Sequence, residues 1–267
     1  MGAEKTIAPV AALSIAGSDS AGAAGIQADL KAFAAMNVHG LSAITAVTAQ
    51  NLRRVTSVHV VPAREVARQI HAVFADFRIA AVKIGMLGSA ANVAAVAAAL
   101  RQQHARNIVL DPVLASSSGT PLLTPRGLAI LRKELIPLAD LLTPNLPEAA
   151  ILLGRRVRDA DAPAAARDLL ALGARAVLLK GGHGRGRVVR DILVDAGGVR
   201  EFAHPRLRLR ARGTGCVLAS AIAAGLAQGQ SLAAAIAAAE AFLQQALQDS
   251  CRVTRTHIRV LRPPRQI

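Results

Sequence analysis

Apolar and polar positions along the chain alternate between short β-branched or aliphatic runs and longer Ala- and Leu-rich stretches. That is the pattern of βαβ units around a mostly parallel sheet. Strands are predicted over 11–16, 41–48, 55–61, 80–84, 107–110 and 176–179, with a short one ending at Leu141-Leu142. Helices are predicted over 26–36, 63–74, 90–104, 124–135, 162–172, 214–227 and 232–249, and Asn145-Leu146-Pro147-Glu148 opens one more. Thr124-Pro125 puts proline at a favourable first helical position, and Gly173 supplies a C-terminal stop. The runs 188–194 and 199–202 flank Asp195-Ala196-Gly197-Gly198, a hairpin turn. No repeat or linker interrupts the pattern. Residues 1–267 therefore read as a single α/β domain, with a mobile basic tail from about residue 252.

Four strands run directly into polar or glycine-rich turns, and ligands of open α/β sheets lie beyond the carboxyl ends of strands. The first turn, 16–25, is made of small residues that admit close backbone approach and expose amides to a ligand. It matches neither a Walker A loop nor the Gly-x-Gly-x-x-Gly fingerprint. Asp29, on the following helix, reads by itself as a surface carboxylate. Asp111-Pro112-Val113 places a carboxylate where it could face a phosphate-bound Mg²⁺ or simply cap a turn. In Thr143-Pro144-Asn145-Leu146-Pro147-Glu148, Asn145 and Glu148 form a capping-box pattern, and the same side chains could contact a magnesium–phosphate cluster. Arg212-Gly213-Thr214-Gly215-Cys216 opens a long apolar helix whose free amides suit a transferred phosphoryl group. A thiol in that turn would have its thiolate favoured by the helix end and could accept a hydroxyl proton. Taken alone, Cys216 reads as a small buried hydrophobe, and Cys251 keeps that reading.

Composition narrows the partners. Apolar residues make up 52% of the 267, yet no run approaches the ~20 apolar residues of a membrane span. The first residues lack a secretory layout, so a cytoplasmic protein is expected. A net charge of +15 would attract polyanions. Of the 32 basic residues only five are lysines, and the arginines are dispersed. With no Trp, no Tyr and five Phe, the chain lacks the stacking platforms of single-strand binders. Two cysteines make no disulfide framework.

In chain order, Gly17-Ser18-Asp19, residues 24–31, residues 45–51 and Lys83-Ile84-Gly85-Met86-Leu87 closely resemble one family. So do Leu110-Asp111-Pro112-Val113, residues 142–149, Leu179-Lys180-Gly181-Gly182-His183 and Gly213-Thr214-Gly215-Cys216. The family is the hydroxymethylpyrimidine/phosphomethylpyrimidine kinases of thiamine biosynthesis, within the ribokinase-like superfamily. The resemblance runs from about residue 11 to about residue 250. It implies a three-layer α/β fold, a central mostly parallel sheet flanked by helices, without a large lid. It also implies that ATP phosphorylates 4-amino-5-hydroxymethyl-2-methylpyrimidine and then its monophosphate. The pyrimidine would lie near Gly17, Asp29, Gln50, Met86 and Val113. Gln50 offers both donor and acceptor, Asp29 accepts, and Met86 supplies adaptable apolar surface. By the same resemblance Cys216 is the base, where related sugar kinases carry an aspartate, and Gly213, Thr214 and Gly215 form the anion hole. Asp111 and Glu148 organise Mg²⁺, Asn145 supports the phosphates, and Lys180 neutralises them. Gly182 and His183 border the nucleotide. The implied assembly is a homodimer whose partners are the pyrimidine and ATP, with no nucleic acid and no membrane.

The chain departs from the family pattern in places. Ala21 and Ala23 replace residues commonly Ser or Gly, and Ser116-Ser117-Ser118 stands where a Lys or Thr often precedes Ser-Gly. Arg208-Leu209-Arg210-Ala211-Arg212 replaces a Thr- and His-containing approach, where arginines could bind phosphate or be surface charge. The usual Gly- and His-containing ending is absent from 256–267. These changes bear on the second phosphorylation more than on the first. The rival readings are a pyridoxal or pyridoxine kinase, and a non-catalytic sensor or nucleic-acid-binding protein on the same fold. Gln50 with Met86 favours the aminopyrimidine, and the set Asp111, Glu148 and Gly213–Cys216 favours an enzyme.

Overall fold

The computed structural model describes residues 10–115, 121–183, 186–207, 209–253 and 257–264. In chain order the first half holds β1 (Ala11–Asp19), α1 (Gly25–Ala35), β2 (His39–Gln50), β3 (Val55–Val60), α2 (Ala63–Asp76), β4 (Ile79–Ile84), α3 (Ala90–Gln102) and β5 (Ile108–Leu110). There follow α4 (Pro125–Ile130), β6 (Leu141–Leu142), α5 (Leu146–Leu153), α6 (Ala162–Leu170), β7 (Val177–Leu179), β8 (Val188–Asp195) and β9 (Gly198–Pro205). The last elements are β10 (Ala211–Arg212), α7 (Thr214–Ala227), α8 (Leu232–Gln248) and β11 (Arg259–Val260).

Nine strands form one sheet in the order β3-β2-β1-β4-β5-β6-β7-β8-β9. Strands β2 to β7 pair in parallel, while β3 and the β8–β9 hairpin are antiparallel at the two edges. Side chains alternate between two buried faces. Leu13, Ile15, Leu110, Leu142 and Leu179 pack with α2, α3, α5 and α6. Ala12, Val109, Leu141 and Leu178 pack with α1, α7 and α8. Burial on both faces explains why these strands read as continuous apolar runs, because no face is left for polar residues. The three-layer α/β expectation holds.

Some element boundaries moved. The 124–135 helix is regular only to Ile130, then widens into a π turn over Leu131–Leu135 and a 3-10 turn over Ile136–Leu138. Pro137 has no N–H to continue the ladder. The basic end also differs from the expected mobile tail over its described part. Arg259–Val260 pairs with Ala211–Arg212, Cys251 and Val260 exchange backbone bonds (3.1 and 3.0 Å), and Leu261 is buried. An apolar residue and unpaired backbone groups outweigh the solvation of the neighbouring charges. The departure at Ser116–Ser118 and the residue Arg208 lie outside the described residues. Among the described residues, no helix is long and apolar enough to cross a membrane.

Candidate active site

Backbone rungs continue past the strand ends and lock the turns into one edge. Gly85 N–H donates to Ile15 O (2.9 Å), Asp111 N–H to Ile84 O (2.8 Å), Thr143 N–H to Leu110 O (2.9 Å) and Lys180 N–H to Pro144 O (2.8 Å). Strand order reverses at β1, which has β2 on one side and β4 on the other, so the switch point lies on this edge. A cleft of about 1270 Å³ opens there. Gly17, Gln50, Lys83, Met86, Asp111 and Val113 line it, with Asn145, Glu148, Lys180 and Gly182. The turn Gly213, Thr214, Gly215 and Cys216 completes the lining. His183 follows Gly182 in a 3-10 turn.

Glycine lets the first turn and the start of α7 interlock. Gly213 caps α7 at φ +79°, and a Cβ on it would lie 1.9 Å from the Ala23 carbonyl oxygen. A Cβ on Gly25, at φ +56°, would lie 2.2 Å from the Gly17 oxygen. The first α7 bond runs from Val217 N–H to Gly213 O (2.9 Å). The amides of Thr214, Gly215 and Cys216 precede it and are the helix's free donors. A Cβ on Gly215 would be 3.2 Å from Lys180 Nζ and 3.7 Å from Asp111 Oδ2, so the helix start rests against that ion pair.

Lys180 Nζ donates to Asp111 Oδ1 (2.7 Å), and Thr143 Oγ1 donates to the same oxygen (3.4 Å). Burial alone would lower the Lys180 pKa, but the carboxylates of Asp111 and Glu148 outweigh it and raise it. The capping box forms as its spacing suggests: Glu148 N–H donates to Asn145 Oδ1 and Asn145 N–H to Glu148 Oε2, both 2.9 Å. Burial raises the Glu148 pKa to about 7, with Lys180 opposing and Asp111 adding. Asp111 Oδ2 and Glu148 Oε1 have no hydrogen-bond donor among the described residues. Nor does any group of three or more His, Cys, Asp or Glu side chains among them form a metal cage.

Three expectations change here. Asp29 is neither a surface carboxylate nor a cleft residue. Fully buried in α1, it accepts from Lys83 Nζ at both oxygens (2.8 Å each), from Ser14 Oγ (2.6 Å) and from Ser220 Oγ (2.8 Å). Those four bonds occupy its acceptor sites, so none is left for a pyrimidine. The first turn also keeps its amides for itself. Asp19 accepts from the N–H groups of Ala21 (2.7 Å), Ala23 (3.0 Å) and Ala24 (2.8 Å). Finally, burial pushes the Cys216 thiol up to about 11, against the pull of Lys83 and a hydrogen bond from Gly25 N–H. Asp29 and Asp111 reinforce that rise. The expected thiolate at the helix end is therefore disfavoured, because desolvation is the largest effect on this thiol.

On the other wall, Met86 Sδ lies 3.3 Å from where a Cβ of Gly17 would be, and Thr45 Oγ1 holds the Met86 carbonyl (2.6 Å). Ser20 Oγ clips the end of β2 to the first turn, donating to Gln50 O (2.8 Å) and accepting from Gln50 N–H (2.9 Å). The Gln50 side-chain amide has no protein partner among the described residues and lines the cleft. Arg212 is not free surface charge: it lines the cleft and is anchored there. Its guanidinium donates to Leu52 O (2.8 Å) and Arg53 O (3.2 Å), pinning the loop after β2. Arg53, Arg54 and Arg210 also border the cleft, a cationic rim for a polyphosphate.

Motif reasoning missed several organising residues. Arg206 donates to the carbonyls of Gly182 (2.6 Å), Gly186 (2.9 Å) and Gly181 (3.4 Å), and Asp191 accepts from Gly181 N–H (2.8 Å). Lys83 did leave a signal: a lysine inside the apolar strand 80–84 requires a buried partner.

A sequence profile of the family described as phosphomethylpyrimidine kinase matches residues 19–261. The hydroxymethylpyrimidine/phosphomethylpyrimidine kinase of Rhizobium meliloti (strain 1021) is 47% identical over 245 residues, covering 91% of this chain and 92% of its own length. The crystal structure of phosphomethylpyrimidine kinase from Clostridium difficile 630 superposes with a TM-score of 0.80 at 39% identity, covering 89% of this chain and 99% of its own. A pyridoxal kinase from Staphylococcus aureus, solved with AMP-PCP and pyridoxal, superposes with a TM-score of 0.86 at 28% identity, covering 96% and 93%.

Proposed function

Because the chain belongs to the phosphomethylpyrimidine kinase family and is a kinase of that type, we propose that it phosphorylates 4-amino-5-hydroxymethyl-2-methylpyrimidine and then its monophosphate with ATP. The observation that carries this reading is the contact between the α7 start and the Lys180–Asp111 pair beneath Gly215. It brings free amides, a cation and a carboxylate to one point, which phosphoryl transfer requires because its catalysis is mostly positioning and charge stabilisation.

In this reading the pyrimidine lies between Gly17, Met86 and Val113, with the unpartnered Gln50 amide reading its polar edge. The Cys216 thiol first gives its proton to solvent, and the hydroxymethyl oxygen then attacks the γ-phosphorus while its own proton passes to the Cys216 thiolate. The bond from γ-phosphorus to the bridging oxygen breaks, and ADP leaves. Amides of Thr214, Gly215 and Cys216 take the developing charge, Lys180 faces the phosphates, and Gly182 and His183 border the nucleotide. Asp111 and Glu148 suit a Mg²⁺ carried by ATP, since each keeps one oxygen without a protein donor and Mg²⁺ takes one or two carboxylates with phosphate oxygens and water. Such an ion, when bound, offsets phosphate charge. The same reading makes the protein a cytoplasmic homodimer of single-domain subunits, with light scattering as the test of its assembly.

A coupled ATP-consumption assay compares the pyrimidine alcohol, its monophosphate and pyridoxal. Turnover of both pyrimidines ahead of pyridoxal is expected; robust pyridoxal turnover with neither pyrimidine used would overturn the substrate assignment. Cys216→Ala is expected to lower kcat by about 10²-fold or more. Unchanged turnover would remove the proton-acceptor role and leave the kinase reading intact.

A further inference from the structure

The proton-acceptor reading of Cys216 gives a task to a residue that reading does not itself use. Lys83 lies in β4, fully buried, and its ammonium borders the cleft. Two of its N–H groups go to Asp29 Oδ1 and Oδ2 (2.8 Å each), and the third has no acceptor among the described residues. A Cβ on Gly85 would lie 2.9 Å from Nζ, so the ammonium occupies the space beside the strand end.

Asp29 is anchored from two further elements, by Ser14 of β1 and Ser220 of α7. Ser220 lies four residues after Cys216, and residues at that spacing share one helix face. The face of α7 that carries the sulfur is therefore the face bonded to the Lys83–Asp29 pair. Cys216 in turn accepts from Gly25 N–H, at the start of the helix that carries Asp29. The charged groups acting on the sulfur are Lys83 and Lys180, which favour its thiolate, and Asp29 and Asp111, which oppose it.

We propose that Lys83 is an electrostatic positioning residue: a cation that Asp29, Ser14 and Ser220 hold against the face of α7 that carries Cys216, where it favours negative charge on the sulfur. It touches neither substrate nor the transferred group. Its charge lowers the cost of forming the thiolate: the thiol gives its proton to solvent, the thiolate then takes up the hydroxyl proton, and that proton is released to solvent before the next turnover. Among the charges acting on the sulfur Lys83 has the largest effect, ahead of the opposing Asp29, so the pair as a whole favours the thiolate.

The test is the rate of Cys216 alkylation by iodoacetamide at pH 8, read by mass spectrometry of its own peptide so that Cys251 does not interfere. The double variant Asp29→Asn/Lys83→Met removes both charges together and leaves no lone buried ion. Its alkylation slows by about threefold or more, with kcat reduced and KM for the pyrimidine little changed. Asp29→Asn alone leaves the cation without its counter-charge, and its alkylation is faster than wild type. A purely structural pair would loosen the site and speed alkylation in both variants. That outcome, or a double variant that reacts at the wild-type rate, overturns the proposal. Should Asp29→Asn not fold by circular dichroism, the double variant decides alone. Undiminished turnover in Cys216→Ala would sink the proton-acceptor role while leaving the alkylation rates to judge Lys83 separately.

Discussion

Lys83–Asp29 and Lys180–Asp111 are the same pair of residue types, bonded at 2.8 and 2.7 Å, and both adjoin α7. They differ in what else holds the carboxylate. Asp29 is saturated by two serines and both sides of the ammonium, and the side chains of its pair are 0% exposed. Asp111 uses one oxygen for Lys180 and Thr143, and Lys180 remains 11% exposed at the cleft. A sealed pair is a fixed dipole whose carboxylate no ligand can address. An open pair has a free carboxylate oxygen and can exchange partners.

The largest expected effect separates the two by stability. Asp29→Ala leaves Lys83 buried and uncompensated and is expected to cost about 3–5 kcal/mol in urea unfolding. Lys180→Met should cost less stability, since Asp111 lines the cleft and keeps its bond from Thr143, but kcat should fall about 10²–10³-fold as a charge-stabilising donor is lost. Equal destabilisation by the two substitutions would erase the distinction.

A smaller effect probes the open side. Glu148 has its pKa raised to about 7, so it is largely protonated at pH 6 and ionised at pH 8. KM for MgATP is expected to fall as pH rises through 7, by up to about tenfold, and Glu148→Gln should flatten that dependence.

The smallest concerns a carboxylate that lacks any such partner. Glu240 Oε1 is buried without a hydrogen bond, and burial, with Asp191 nearby, raises its pKa to about 8. The folded state therefore holds this proton up to a higher pH than the unfolded chain. The group's contribution is present below the ordinary carboxylate range and is lost as pH rises toward 8. Thermal melting of Glu240→Gln should exceed wild type by about 2–4 °C at pH 8.5, with the gap closing at pH 5. A pH-independent difference would refute the titration argument.

Much of the site was legible because it rests on local chemistry. The capping box of Asn145 and Glu148, the glycine-flanked start of α7 and the carboxylate after β5 are short-range features, and parallel strands bring their carboxyl ends to one edge. What was not legible needed distant partners. Asp29 finds its donors 15, 54 and 191 residues away, so nothing within a helical turn marks it as sealed. Arg212 reads as free charge until the carbonyls of Leu52 and Arg53 are seen to receive it. The basic end read as a tail because its charges are visible in sequence and its pairing with Ala211–Arg212 is not.

By itself, then, the sequence determined the layers, the edge where chemistry gathers and the family, through hydrophobic periodicity and the order of the strand-end motifs. Only the tertiary structure decided which carboxylate is open, which amides the first turn keeps, and that burial pushes the Cys216 thiol up to about 11. The physical reason is desolvation. Periodicity records whether a residue faces inward, but the free energy of a buried charge depends on the partners that packing brings to it.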